Sequence, residues 1–335
     1  MSLNDSDRMM QMINGYWITQ IVHAAATYSL ADHLAEAPAA GADIAQMANT
    51  DPSATFRLLR ACAALGLVTY DGECRFAATS LLNTLRTDNP QSLRDLAMVM
   101  AGPANWLPWG RFVDCVKTGQ PQAVAALGKM VFEYIAERPA ESQTFARAMK
   151  HAITFVTEEV ARILDTRSAT VVGDIGGAGG SLLHAVLQAN PALSGIVFDL
   201  PNIAEIAKGA AAEIGLQQRV TVVGGDFFEA VPAADLYLLR YILHDWDDAA
   251  CIRILQNCRR AMLPGGRVAV IEQVLGEIGE RGQAPLMDMN MMVVLGGRER
   301  SQTEYGQLFA AAGLRLATTI PMNTPMATVI EATAA

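Results

Sequence analysis

In the second half of the chain, short runs of apolar residues alternate with longer segments. In these longer segments the apolar positions recur every three or four residues. The short runs are typical of buried strands, and the longer segments are typical of helices with one apolar face. The predicted strands are 170–175, 195–200, 219–224, 235–240, 267–272, 314–320 and 326–332, and the predicted helices are 181–190, 202–215, 248–263 and 301–313. This alternating order predicts an α/β fold with a parallel sheet and helices on both faces.

Turn and capping residues mark several of these boundaries. Ser301 and Glu304 form a capping box at the start of the last helix, and Gly313 ends it. The Pro264-Gly265-Gly266 sequence breaks the chain between helix 248–263 and the strand that follows.

The first half of the chain has a mainly helical pattern. Residues 9–36 have a helical pattern, in which a broad apolar stripe runs from Met9 to Ala24, and residues 42–47 predict a short further helix. The next helix begins with Asp51 as N-cap and Pro52 in its first turn, and Gly66 closes it. The Asp-Gly pair at 71–72 predicts a hairpin of strands 67–70 and 74–77, and residues 90–165 continue as helices.

The order helix, turn, helix and hairpin is that of a winged-helix domain, but the charges argue against DNA binding. The predicted recognition helix carries only Arg57 and Arg60, and the hairpin has Arg75 against two acidic residues. The whole chain has 25 Lys and Arg against 34 Asp and Glu, a net charge of −9, whereas nucleic-acid binding needs a surplus of positive charge. We therefore predict a packing and dimerising domain, in which the Met9–Ala24 stripe contacts either a second copy or its own domain.

Length and composition allow two domains with large cores. The chain has 335 residues, of which 51% are hydrophobic and 18% charged. The polar segment 165–168 marks the boundary, so the predicted domains are 1–165 and 166–335. Five scattered cysteines without a C-x-x-C pair predict reduced thiols. The chain also shows neither a signal-peptide pattern nor a long apolar window. Together with the reduced thiols, this predicts a cytoplasmic protein without a membrane partner.

The segment Thr170–Ser181 joins the first predicted strand to its helix through a glycine-rich turn. Such a turn lets the backbone approach a ligand, and the helix N-terminus offers free N–H groups. The G-x-G-x-x-G dinucleotide fingerprint does not fit, because Ala178 and Leu182 stand where glycines are needed. The acidic residue Asp174, followed by Gly176, Ala178 and Gly180, matches S-adenosylmethionine (SAM) sites, although an ordinary glycine-rich connection has the same appearance.

Acidic and aromatic residues also follow the other parallel strands. They are Asp199, the pair Asp226 and Phe227, the segment 241–246, and Glu272. Ligands of such sheets bind beyond the carboxyl ends of the strands, where an acidic side chain can accept hydrogen bonds from ribose hydroxyls. Any one of these carboxylates, taken alone, is more consistent with a helix cap or a solvated loop, but together they predict a ligand site.

His244 is the candidate for acid–base chemistry at this edge. A neutral imidazole can take a proton from a phenol near pH 7, and a carboxylate on its other nitrogen would fix its tautomer. The alternative is a loop histidine with a purely structural role.

Two segments resemble signatures of the plant-type small-molecule O-methyltransferases, a family that includes caffeic acid enzymes and bacterial relatives acting on polyketides and phenazines. The segments are Leu239–Asp248 and Gly296–Arg300 with the helix after it, and the similarity covers nearly the whole chain. The resemblance implies a Rossmann-like class I SAM methyltransferase sheet, with a winged-helix-like dimerisation and substrate-capping domain ahead of it, and a homodimer. It implies SAM as methyl donor and no metal.

The resemblance also implies roles for individual residues. His244 is the expected base, flanked and oriented by Glu272 and Glu299, with Asp245 as a weaker auxiliary. The expected cofactor-binding residues are Asp174, Gly176, Gly177, Asp199, Leu200, Asp226, Phe227 and Arg240. The expected acceptor-binding residues are Trp246, Met287, Asn290 and Met291, although methionines at helical spacing also suit a core.

The chain departs from the family pattern at two cofactor positions. Ala178 replaces the usual middle glycine of the turn, and Arg240 stands where plant enzymes often have lysine. We expect both to be tolerated, since alanine is small and a backbone contact does not depend on the side chain.

The leading prediction is therefore transfer of a methyl group from SAM to a hydroxyl of an aromatic small molecule. Two alternatives remain open. One is a hydroxylase-type relative that binds SAM on the same fold, and the other is a ligand-sensing winged-helix regulator without catalysis.

Overall fold

The computed structural model describes residues 4–280, 282–324 and 326–335. The chain divides into two compact units, one of Met1–Arg111 with Ala123–Ile153 and one of Phe112–Gln122 with Thr154–Ala335. In the described residues, no helix combines the length and the apolar character that a membrane crossing requires.

The helices, in chain order, are α1 (Asp5–Ile13), α2 (Gly15–Thr27), α3 (Leu30–His33), α4 (Gly41–Ala48), α5 (Pro52–Ala64), α6 (Ser80–Asn83), α7 (Arg94–Met100), α8 (Pro103–Trp109), α9 (Phe112–Thr118), α10 (Ala123–Leu127), α11 (Val131–Ala136), α12 (Pro139–Ile163), α13 (Ser181–Ala189), α14 (Pro201–Glu213), α15 (Asp248–Ala261), α16 (Ala284–Val294) and α17 (Gln302–Ala311). The strands are β1 (Ala39–Ala40), β2 (Val68–Tyr70), β3 (Arg75–Ala78), β4 (Val171–Ile175), β5 (Ser194–Asp199), β6 (Val220–Gly224), β7 (Ala234–Arg240), β8 (Met262–Glu272), β9 (Val274–Leu275), β10 (Arg300–Ser301), β11 (Leu314–Pro321) and β12 (Thr328–Ala334).

The predicted helical character of residues 9–36 is confirmed for most of this region, which is divided into α1, α2 and α3. Asn14 caps the end of α1, and Ser29 takes a left-handed conformation (φ +51°) that no helix interior can contain. An exposed apolar face nevertheless runs along α1 and α2, through Met9, Met10, Met12, Ile13, Tyr16, Trp17 and Ile18.

The helix and hairpin that follow are confirmed. The Asp51 carboxylate caps α5 by accepting the N–H of Ala54 at 2.8 Å. Strands β2 and β3 pair antiparallel, and β1 adds a third, unpredicted strand to this small sheet. The Asp71 carboxylate fixes the turn by accepting the backbone N–H groups of Glu73 and Arg75.

The second unit contains a seven-stranded sheet in the order β11-β12-β8-β7-β4-β5-β6. Strands β8, β7, β4, β5 and β6 run parallel, while β11 and β12 pair antiparallel at the other side of β8. All seven predicted strands are present, and the α/β fold class is confirmed. Two apolar clusters, each containing sheet and helix residues, form the core.

Strand β8 differs from its prediction at its start. It begins at Met262, and its pairing with β7 shifts register between Ala234 and Leu236, where the Pro264–Gly266 turn interrupts the ladder. Its carboxyl end at Glu272 is as predicted. The parallel strands β4 to β8 therefore end at one edge of the sheet, and the candidate residues are brought to that edge.

Candidate active site

The turn after β4 is shaped by glycines that cannot carry a side chain. Gly176 has a φ of +68°, and a Cβ built on it would lie 2.4 Å from Cδ1 of Ile242. Gly180 has a φ of +76°, and its Cβ would lie 2.7 Å from Val197. The turn thus brings its backbone close to the segment that follows β7.

Ala178 in this turn adopts a left-handed backbone with a φ of +48°. Its N–H donates to Oδ2 of Asp199 at 2.8 Å, while Oδ1 of Asp199 accepts the N–H of Leu200 at 2.7 Å. The substitution of the usual glycine is accommodated, but in a conformation that disfavours a Cβ. The Asp199 carboxylate lies directly beside the turn, as its predicted role requires.

Asp174 lies buried beneath the turn, with an exposed fraction of 2%. Its Oδ2 accepts the N–H of Leu183 at 3.3 Å and so helps to fix the first turn of α13. Burial raises the pKa of Asp174 to about 6, although the positive charge of Arg240 opposes the shift. Gly177 packs on this carboxylate, because a Cβ there would approach it to 2.7 Å.

The Arg240 guanidinium is also held by protein groups. It donates to Oγ1 of Thr157 at 2.5 Å and to Oγ of Ser181 at 3.1 Å. The side chain therefore ties the end of β7 to α12 and to the first residue of α13.

Aromatic rings lie on the other side of the turn. The Phe227 ring is 6.0 Å from the ring of Trp246, and its edge is 3.9 Å from the position of a Cβ on Gly176. Asp226 is exposed and accepts the N–H of Phe228 at 2.8 Å. The structure thus brings Phe227, Trp246 and the glycine turn together.

The short 3-10 helix Leu243–Asp245 is held from one side by Glu272. This side chain is fully buried, and its Oε1 accepts the N–H groups of Ile242 at 2.9 Å, Leu243 at 2.9 Å and His244 at 3.4 Å. A buried carboxylate that accepts several backbone N–H groups strongly fixes the chain that carries them.

Arg300 holds the same segment from the other side. Its fully buried guanidinium donates to the carbonyl oxygens of Leu243 at 2.9 Å and Trp246 at 2.7 Å, and to the Asp248 carboxylate at 2.8 Å. Our sequence reasoning gave Arg300 no role. A signal was present, because Arg300 lies in the Gly296–Arg300 motif, but the pattern does not show which carbonyls a guanidinium reaches.

Gly297 was also missed, and its function is close approach. A Cβ on Gly297 would lie 2.1 Å from the carbonyl oxygen of His244, and the next residue, Arg298, donates its N–H to that oxygen at 2.8 Å. Only glycine lets the 296–300 segment contact the His244 backbone at this point.

The imidazole of His244 lies among three carboxylates. Its Nδ1 is 3.1 Å from Oε1 of Glu299 and 3.6 Å from Oε2 of Glu272, and its Nε2 is 3.6 Å from Oδ1 of Asp245. Only 15% of the His244 side chain is exposed. Because a carboxylate accepts but does not donate, the contact with Glu299 places a proton on Nδ1 and leaves Nε2 to exchange a proton.

The predicted acceptor residues Met287, Asn290 and Met291 lie on α16, which is joined to Glu299 through Asp288. Oδ1 of Asp288 accepts the backbone N–H of Glu299 at 2.8 Å. Met291 is buried, whereas Met287 and Asn290 are half-buried and Nδ2 of Asn290 is 3.9 Å from Sδ of Met287.

Comparison with known proteins decides the family. The model of the O-methyltransferase domain matches residues 109–315, and that of the O-methyltransferase dimerisation domain matches residues 10–88. The chain belongs to the O-methyltransferase family.

Relatives and solved structures agree with this membership. The O-methyltransferase is 37% identical to phenazine O-methyltransferase PhzM of Lysobacter antibioticus, covering 94% of this chain and 93% of that protein. The crystal structure of LaPhzM superposes with a TM-score of 0.90 at 35% identity, covering 99% of this chain and 100% of the other. NcsB1, an O-methyltransferase from neocarzinostatin biosynthesis in complex with SAM and 2-hydroxy-5-methyl naphthoic acid, gives 0.83 at 35% identity, with 95% and 96% covered.

These similarities establish a SAM-dependent O-methyltransferase. The turn after β4 fits such a donor. Gly176 exposes backbone without a side chain at the point where Ile242 packs closely on it, the Asp199 carboxylate lies beside the turn, and Asp226 is exposed.

The electrostatics of the O-methyltransferase site change one expectation. Burial lowers the pKa of His244, but the charge of Glu272, the hydrogen bond to Glu299 and the charge of Asp245 outweigh it and raise the pKa to about 9. The three carboxylates therefore favour the imidazolium, whereas the role of base requires the neutral imidazole. Burial raises the pKa of Glu272 to about 7, with His244 opposing and Glu299 adding to the shift.

The same cluster has the composition of a metal site. One ligand atom each from His244, Glu272 and Glu299 lies within 4.8 Å of the others. A cation there would have to displace the proton that Nδ1 shares with Glu299. That catalysis uses no metal stays a prediction, which metal analysis of the purified protein tests.

Proposed function

We propose that this O-methyltransferase transfers the methyl group of SAM to a hydroxyl of an aromatic small molecule, with His244 as general base. The observation that carries the proposal is the imidazole itself. Its Nδ1 is bound to Glu299 at 3.1 Å, and its Nε2 is left to accept a proton. Ile242, two residues earlier, packs at Gly176, so base and turn belong to one site.

The donor is held by the turn and the strand ends after it. The Asp199 carboxylate, which accepts the N–H groups of Ala178 and Leu200, binds the ribose hydroxyls, and Asp226 with Phe227 binds the adenine. Gly176 and Gly177 let the backbone approach. Asp174 and Arg240 support the donor site indirectly, because the Asp174 carboxylate is buried and the Arg240 guanidinium is bound to Thr157 and Ser181.

SAM supplies an activated methyl group on a sulfonium, so the protein has to align the acceptor oxygen and remove its proton. The acceptor hydroxyl gives its proton to Nε2 of His244, while the proton on Nδ1 stays with Glu299 throughout. Glu272 and Glu299 stabilise the imidazolium that results, and Asp245, 3.6 Å from Nε2, adds to this effect.

The acceptor binds between the aromatic side chain of Trp246 and the Met287, Asn290 and Met291 face of α16. Thioethers and an indole suit a flat aromatic ring, and an amide adds one hydrogen bond. The linkage of α16 to Glu299 through Asp288 supports this placement. The phenazine and naphthoate named for the relatives are ring systems of this type.

The protein acts as a homodimer through its first unit. The dimerisation family match at residues 10–88 and the exposed face on α1 and α2 support this assembly. Light scattering that gives a monomer would contradict it. The division at residues 165 and 166 and the substrate-capping role stay predictions, as does a cytoplasmic location, which the free thiols support.

The experiment is incubation with methyl-labelled SAM and a panel of phenols, hydroxynaphthoates and hydroxyphenazines, followed by mass spectrometry. Transfer of the label to an acceptor, absent with His244→Ala, supports the proposal. Addition of oxygen instead of a labelled methyl group indicates the hydroxylase-type alternative. SAM binding with neither product, across acceptors that demonstrably bind, refutes it.

A further inference from the structure

We propose that Tyr241 is a positioning residue for the base, whose ring stacks on the His244 imidazole, holds it toward Glu299 and stabilises its protonated form. The proposal rests on the function proposed above. Three observations carry it: the backbone of Tyr241, the attachment of its side chain and the geometry of the two rings.

The backbone of Tyr241 is strained. It follows directly after β7 with a φ of +54°, a conformation that disfavours any residue with a Cβ. Among the described residues with positive φ it is the one aromatic. Glycine would take this conformation freely, so the strain indicates that the side chain is needed here.

Tyr241 is held by hydrogen bonds at its backbone and at its hydroxyl. Its backbone N–H donates to the carbonyl of Ile271 on β8 at 3.1 Å, and its hydroxyl donates to the carbonyl of Met326 at 2.9 Å. The ring packs beside a buried apolar cluster. The ring is therefore fixed independently of the residue on which it stacks.

The Tyr241 and His244 rings lie face to face. Their centroids are 5.6 Å apart and their planes differ by 30°, while the hydrogen bond to Glu299 lies at the edge of the imidazole. The stacked ring of Tyr241 and the hydrogen bond to Glu299 together oppose rotation of the imidazole. An aromatic face within about 6 Å also attracts a cation, so the ring favours the imidazolium over the neutral form.

The other groups that face this imidazole are carboxylates. Glu299 and Glu272 lie at Nδ1 and Asp245 at Nε2, and burial raises the pKa of both Glu272 and Asp245. Their charges set most of the proton affinity of His244, and the Tyr241 ring adds to it from the face. Loss of the ring should therefore lower the pKa of His244 and weaken its hydrogen bond to Glu299.

The test is an NMR titration of ¹⁵N-histidine in the resting protein, with the pH profile of kcat/KM alongside. In Tyr241→Leu the pKa of His244 should fall by up to about one unit, which corresponds to a tenfold loss of proton affinity. The acid limb of the pH profile should move with it. We expect kcat to fall about tenfold to a hundredfold while the Kd of SAM stays unchanged. In Tyr241→Phe, which keeps the ring, the pKa should stay as in the native protein.

Two further variants serve as a substitute and as a control. Tyr241→Asn removes the ring but tolerates the left-handed backbone, so it replaces the leucine variant if that variant does not fold. Phe309→Leu removes a buried aromatic ring of the same unit, where it packs on Tyr305, and should leave the pKa of His244 unchanged.

An unchanged pKa and tautomer in both ring-deleted variants would overturn the proposal, as would equal shifts in the phenylalanine and leucine variants. The titration needs no turnover. It therefore still reports on Tyr241 if His244→Ala proves fully active and the base assignment itself fails.

Discussion

Replacing Glu299 by glutamine separates the charge of this residue from its geometry. The amide oxygen still accepts the proton on Nδ1 at the 3.1 Å contact, so the imidazole keeps its orientation. What changes is the support for the imidazolium, whose pKa of about 9 depends on Glu272, Glu299 and Asp245 against the effect of burial.

The magnitude follows from the kind of hydrogen bond. Bonds to charged groups contribute about 1.5–3 kcal/mol and neutral ones about 0.5–1.5 kcal/mol, so the change costs the imidazolium roughly 1.4 kcal/mol. At about 1.4 kcal/mol per pKa unit, the pKa of His244 should fall by about one unit, toward 8.

The sign of the effect on rate depends on pH. Only deprotonated His244 accepts the acceptor proton, so log kcat/KM rises with pH up to the pKa and then levels off. In Glu299→Gln the rise should end about one unit lower, and the plateau should fall by about threefold to tenfold because the base is weaker. At pH 7 the larger deprotonated fraction offsets this loss, so kcat/KM there should change by less than about threefold.

The assay is the pH profile of methyl transfer from about pH 6 to pH 10 with one phenolic acceptor whose own pKa lies above that range. Glu229→Gln is the matched control, because Glu229 is an exposed carboxylate of the same unit that pairs with Arg253. An acid limb that stays at its native position in Glu299→Gln would show that Glu299 does not set the proton affinity of the base.

Three further substitutions test the site. His244→Ala should lower kcat by about 10²–10⁴ with little change in SAM affinity, because the base contacts only the acceptor; wild-type turnover would disprove the assignment. Asp199→Ala should weaken SAM binding by about 1.5–3 kcal/mol, as measured by calorimetry, and unchanged affinity would exclude the ribose contact. Gly297→Ala places a Cβ 2.1 Å from the His244 carbonyl, so it should lower stability by about 1–3 kcal/mol and reduce kcat. Gly306→Ala on α17, where a Cβ meets nothing within 4 Å, is its control and should stabilise by about 0.5–1 kcal/mol; equal melting temperatures would refute the steric argument.

The sequence determined the elements of the second unit because their signals are local. Runs of apolar residues predicted each strand of the main sheet. Capping residues predicted the start of α17, which Ser301 caps. Since parallel strands end at one edge, the residues after them could be grouped without knowing the strand order. The family resemblance added Glu299 to His244 and Glu272 as one predicted site, and the structure brings the three side chains together.

The division of residues 9–36 into α1, α2 and α3 was decided by the backbone at Asn14 and Ser29, and the apolar stripe runs past the first of these breaks. Periodicity reports which face is apolar, and it does not report a single residue that leaves the helical conformation.

The proton affinity of His244 was decided mainly by tertiary structure. Its pKa depends on carboxylates 28 and 55 positions away in the chain, and on burial that no local pattern records. Arg300 binds the carbonyl oxygen of Leu243, Gly297 lies against the backbone of His244, and the ring of Tyr241 stacks on the imidazole. Such contacts depend on distances of a few ångströms between distant segments, and only the folded chain sets those distances.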